Sequence, residues 1–71
     1  MENLTQEQIQ RIISATYDSV GVINDLQSKT SLIEEEQEEL DRNIQHIRIM
    51  MGHQWFIEIL TSEQIVELQA I

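Results

Sequence analysis

Taking Ile9 as heptad position a, the a and d series runs Ile9, Ile12, Thr16, Ser19, Ile23, Leu26, Thr30, Ile33, Gln37, Leu40, Ile44, Ile47 and Met51. Nine of these thirteen positions are apolar and the phase never slips, which marks a coiled-coil-like helix rather than a lone amphipathic one. The heptad region spans residues 5–52, and its expected seam is Ile9, Ile12, Ile23, Leu26, Ile33, Leu40, Ile44, Ile47 and Met51. The acidic run "IEEEQEEL" checks the register. Glu34, Glu35, Glu36, Glu38 and Glu39 fall on e, f, g, b and c, so the seam stays uncharged. Toward the N-terminus the stripe widens, with Ile13 and Val20 at e and Ala15 and Val22 at g. Flanks of that kind ask for more than one neighbouring helix. The polar seam residues Thr16, Ser19, Thr30 and Gln37 cost stability while restricting register and partner choice.

Two stretches share their wording: "LTQEQIQRI" from Leu4 to Ile12 and "LTSEQIVEL" from Leu60 to Leu68. Thr5 with Gln8, and Thr61 with Gln64, each match the T-x-x-Q capping box, in which the hydroxyl accepts from the N3 amide and the glutamine reaches back to the cap. Leu4 with Ile9, and Leu60 with Ile65, stand at the spacing of a hydrophobic staple. The likeness then lapses, Arg11 being matched by Glu67, so these are two helix starts rather than a duplicated domain.

Between them two architectures are open. One is a continuous rod of about 47 residues, some 70 Å long at the helical rise. The other is a helical hairpin that turns at residues 27–31, where Ser31 and Glu34 offer a third capping box. Unbroken heptad phase and the lack of glycine or proline at the turn favour the rod. After Met51 the phase fails. The segment "MMGHQWFIEIL" is apolar on every side, so residues 53–60 read as an apolar connector that the C-terminal helix, residues 61–71, folds back to cover. Gly52 marks a kink or a close approach of another helix. The expected fold is therefore a single all-α domain over residues 1–71, built into an oligomeric helical bundle.

Composition sharpens that picture. Seventy-one residues without cysteine cannot be stapled by disulfides, and a chain this short struggles to bury enough apolar surface alone. Self-association, as a dimer to tetramer, follows as an expectation. Thirteen acidic against four basic residues give a net charge of −9, which repels phosphate backbones and argues against direct nucleic-acid binding. The opening "MENLTQEQ" has neither a basic segment nor an apolar run, and nowhere do enough apolar residues stand together to span a bilayer. A soluble, cytoplasmic protein without membrane association is expected.

Candidate chemistry is sparse. No cysteine nucleophile, glycine-rich phosphate loop or G-x-S-x-G motif is present, and the carboxylates stand in a solvated run, so no enzymatic activity and no cofactor are expected. His46 and His53 both fall on c, seven residues apart. That is two turns rather than the i, i+3 or i, i+4 spacing a helical metal site needs, so no metal is expected either. Five residues are candidates for contacting another protein. Glu35, Glu38 and Glu39 form a negatively charged strip. Trp55 and Phe56 either anchor a partner or plug the end of the helical core, and the core reading is the stronger.

The run Asp41-Arg42-Asn43, followed by His46-Ile47, Ile49-Met50, Trp55-Phe56 and Leu60-Thr61-Ser62-Glu63-Gln64, resembles a small uncharacterised protein family of myophages infecting marine cyanobacteria. The resemblance covers Glu39 to Leu68. It implies a phage-encoded protein in the host cytoplasm or the virion, structural or host-directed, and it brings no catalytic residues. The functional expectation is thus a non-enzymatic helical oligomerisation or scaffolding protein. The alternative is a small acidic regulator or inhibitor that occupies a basic site on a host protein.

Overall fold

The structure, a computed structural model, describes residues 4–71; the first three residues of the expected domain, and with them part of the opening segment, lie outside it. It is all-helical, with no strand among the described residues. Four helices follow one another: α1 (Gln6–Gln27), α2 (Glu34–Met51), α3 (Gln54–Glu58) and α4 (Ser62–Gln69).

Both capping boxes form. The Thr5 hydroxyl accepts from the Gln8 amide at 3.1 Å, and the Gln8 side chain accepts from the Thr5 amide at 2.9 Å. Thr61 and Gln64 repeat the arrangement at 3.2 and 2.9 Å. Each box satisfies one orphan amide of the first turn and the cap's own N–H.

The rod does not form. The chain leaves the helix after Gln27 and turns through residues 28–33, so α1 and α2 make a hairpin. Ser28 closes α1 by donating its hydroxyl to the Asp25 carbonyl at 2.7 Å, and the Lys29 amide bonds to the Leu26 carbonyl at 3.2 Å. The cap of α2 also differs from the expectation at Ser31. It is Ile33, extended at φ −75° and ψ 165°, whose amide donates to the Glu36 carboxylate at 3.2 Å. Ile33 has no polar side-chain atom, so only this half of a capping box exists. The physical reason for the turn lies in composition and burial together. "SKTSLI" is poor in strong helix formers, and a rod from one short chain would leave its whole stripe in water. The extended Ile33 also moves the seam by one residue. Leu32 packs against the core, and Ile33, expected in the seam, is 62% exposed.

The core runs along the hairpin and is closed at one end by the later helices, which pack on α2. Ile23 and Leu26 of α1, Leu40 and Ile47 of α2, Phe56 of α3 and Leu68 of α4 are its buried apolar side chains. Thr16, a polar seam position on α1, is buried as well. Its hydroxyl donates to the Ile12 carbonyl at 2.8 Å, so its burial leaves no orphaned polar atom. Gly52 ends α2 in right-handed geometry; a Cβ there would stand 3.2 Å from the Ile49 carbonyl oxygen, a crowded approach that suits glycine. The molecule measures 42 × 20 × 18 Å, the proportions of an elongated hairpin with two short helices at its side.

Candidate interaction surfaces

Of the expected seam, Ile23, Leu26, Leu40 and Ile47 are buried, and Ile12, Ile44 and Met51 are half-buried against them. Ile9 is half-buried outside the residues that pack on this core. One chain therefore buries four of its nine seam residues, half-covers Ile9, Ile12, Ile44 and Met51, and exposes Ile33. Ile13, Ile57 and Ile65 are likewise half-buried outside the packed set, while Ile49 and Val66 are 54% and 68% exposed. Val66 sits with Ser62, Glu63 and Glu67 along the outer side of α4, where the surface is only shallowly concave.

The acidic strip lies on the first turns of α2. Glu35, Glu38 and Glu39 are all exposed, and none forms an ion pair among the described residues. Glu36, one residue inside the strip, is half-buried and pairs with Lys29 across the turn. The Lys29 ammonium, and after it the Ile33 amide, hold the Glu36 carboxyl below the usual carboxylate range. Negative charge at this position also complements the helix macrodipole, so part of the strip stabilises α2 itself.

The aromatic pair divides. Phe56 is fully buried and fills the end of the core, which removes it as an anchor offered to a partner. Trp55 is half-buried against that core, meeting Phe56 edge-on with ring centroids 5.9 Å apart, and it stacks on His53 at 6.1 Å. His46 and His53 are exposed, and among the described residues no group of three His, Cys, Asp or Glu stands close enough to hold a metal ion. No described helix is long and apolar enough to cross a membrane.

Two tertiary ties had no signal in the sequence. The Tyr17 hydroxyl donates to the Glu67 carboxylate at 3.1 Å, joining α1 to α4. Burial, reinforced by the Glu67 carboxylate, raises the Tyr17 pKa. The Arg48 guanidinium donates to the Ile71 carbonyl at 3.0 Å, pinning the end of α4 to α2 beside a shallow hollow lined by Met51, Gly52 and Leu68. Pairs so far apart in the chain carry no local pattern. Leu32 was the one missed core residue with a signal: two adjacent apolar residues stand there, and the extended cap selects which turns inward.

Comparisons with protein-family models, curated proteins and solved structures found no match to this chain.

Proposed function

We propose that this chain is a non-enzymatic helical assembly module whose partner is a second copy of itself. The observation that carries the reading is the division of its aliphatic residues. A small set is buried, while Ile9, Ile13, Ile57 and Ile65 are half-covered outside that core and Ile33, Ile49 and Val66 face solvent. A domain of this size is marginal on its own core, and association is the remaining way to remove such surface from water when disulfides are absent. Light scattering tests it directly. A mass of two to four times the 8.3 kDa protomer, with melting that rises with concentration, is expected. A monomer at every concentration up to millimolar would refute it.

A second reading is favoured by one specific observation, the exposed and unpaired Glu35, Glu38 and Glu39 beside exposed Ile33. In it the first turns of α2 dock a basic surface on another protein, as a regulator or inhibitor would. Such a complex weakens with salt and with neutralisation of the three glutamates. Capture that is indifferent to both would eliminate this reading. The resemblance to the myophage family supports a phage-encoded setting for either role, in the host cytoplasm or the virion.

A further inference from the structure

The connection between α1 and α2 lacks the devices that oblige a chain to turn. Residues 28–33, "SKTSLI", contain neither glycine nor proline, and no residue with positive φ occurs among those described. Ser28 is already in right-handed helical geometry at φ −79° and ψ −11°. Ile33 departs from helical geometry in ψ alone, at 165° against a φ of −75°. The polar contacts that hold the turn are superficial: the Lys29–Glu36 ion pair, the Ser28 hydroxyl on Asp25, and the Ile33 amide on Glu36 are all exposed, and the one apolar tie is the half-buried Leu32 side chain against the core. Meanwhile the heptad phase passes through the turn intact, and Ile33, exposed in the hairpin, occupies a d position of that phase.

From these observations we infer that the hairpin opens at residues 28–33 into one helix from Gln6 to Met51, which pairs antiparallel with a second opened copy. This rests on the self-association reading and gives one geometry for it, in which Ile33 gains cover while Ile49 and Val66 keep the exposure they have in the closed hairpin. Each α1 covers the α2 of the other copy, so Ile23, Leu26, Leu40 and Ile47 recover the neighbours they have in the closed hairpin. The helices α3 and α4 pack on α2 and travel with it, and Tyr17 meets Glu67 of the other copy. The difference between the two states is confined to the linker. The opened state loses the surface contacts of the turn and the packing of Leu32, which falls on position c of the continuous helix, gains continuous backbone hydrogen bonds, and buries Ile33 where the two linkers cross. Exchange of an identical element in this way is an economical route to a dimer, because no new interface has to be built. Both copies carry −9 charges, so added salt shifts the balance toward the dimer.

The test measures one distance within one chain. Gln10 and Gln45 are exposed on α1 and α2, and Gln10→Cys with Gln45→Cys gives two sites for spin labels. Doubly labelled protein is diluted into unlabelled protein, so that only distances within a chain register. The closed hairpin places the two backbones within about 20 Å of each other, and the continuous helix separates them by about 50 Å. Ser28, Thr30 and Ser31 are exposed, and replacing all three with alanine favours the helical linker. The dimer of that triple variant is expected to be roughly 100-fold tighter than the unmodified one and to show the long distance. Thr30→Pro, and independently a glycine pair inserted after Thr30, are expected to remove the long distance while circular dichroism shows the helices retained. A dimer that shows only the short distance would overturn the opening and leave the assembly reading standing. A triple variant that stays monomeric at all concentrations would overturn both.

Discussion

Ile47 and Ile49 are the same residue type, two positions apart on α2, in opposite surroundings. Ile47 is fully buried and Ile49 is 54% exposed. Replacing a buried isoleucine with alanine removes its transfer free energy and leaves a cavity, together about 2–5 kcal/mol. A chain of this size has a total stability of roughly 4–10 kcal/mol, so Ile47→Ala is expected to consume a large fraction of it. The cost should fall toward the upper half of its range, because Ile47 is fully buried in a core cluster to which all four helices contribute. Ile49→Ala, by contrast, should change stability by no more than about 0.5 kcal/mol in dilute solution. Urea unfolding at low protein concentration, followed by circular dichroism and by the fluorescence of Trp55, measures both. Equal effects from the two substitutions, or a loss below about 1 kcal/mol at Ile47, would refute the placement of the core. The comparison holds side-chain chemistry and helix position nearly constant, so only burial is left to explain a difference.

Three further outcomes follow from local geometry. Gly21 lies inside α1 with open space where a Cβ would stand, so Gly21→Ala should stabilise the protein by about 0.5–1 kcal/mol, seen as a shifted urea midpoint with unchanged slope. Thr5→Ala and Thr61→Ala each remove a hydroxyl cap and should each cost about 1 kcal/mol, additively in the double variant; strong coupling between them would contradict two independent helix starts. The Glu36 carboxyl has a lowered pKa in the folded state, so its contribution is complete above the usual carboxylate range and is lost as pH falls through the folded value. Acid titration of stability should flatten in that window for Glu36→Gln, and an unchanged profile would mean that the Lys29 pairing contributes nothing to the turn.

The two capping boxes were legible because they are local: four residues and their backbone are enough to write one. The heptad stripe was legible for the same reason, and the buried seam residues, Ile23, Leu26, Leu40 and Ile47, follow it. The single chain adopts the hairpin rather than the favoured rod, because a heptad pattern states that a stripe must be covered without stating which chain covers it. At the turn the decision passed to Ile33, whose extended backbone brings Leu32 inward. Nothing in the periodicity separates those two neighbours. Phe56 and Trp55 split between core and edge for a related reason, since a short helix such as α3 has too few residues to show a period of its own. The candidate surfaces were legible as composition, in the glutamate run and the surplus isoleucines. Their positions required the fold.

That ambiguity between one chain and two has an energetic scale. A short linker presents α2 to its own α1 at an effective concentration in the millimolar range. If opening left the linker energetically unchanged, exchanged dimers would form only near that concentration, because every α1–α2 contact is the same in both states. Shifting the dissociation constant from millimolar to micromolar takes about 4 kcal/mol. Two linkers share it, so each must gain about 2 kcal/mol by becoming helical and burying Ile33. Full burial of an isoleucine side chain contributes about 1.5–3 kcal/mol, and loss of the exposed Lys29–Glu36 pair removes little in return. Against this stand the release of half-buried Leu32 from the core and the low helix propensity of Ser28, Thr30 and Ser31, up to about 0.7 kcal/mol per residue relative to alanine. The terms are comparable, which places the unmodified chain close to balance. The alanine substitutions, acting at three positions in each of two chains, should move that balance by about 3 kcal/mol, equivalent to the roughly 100-fold gain in dimer affinity. A gain of that size with the long intrachain distance would identify the linker, rather than the seam, as the element that chooses between a closed monomer and an exchanged pair.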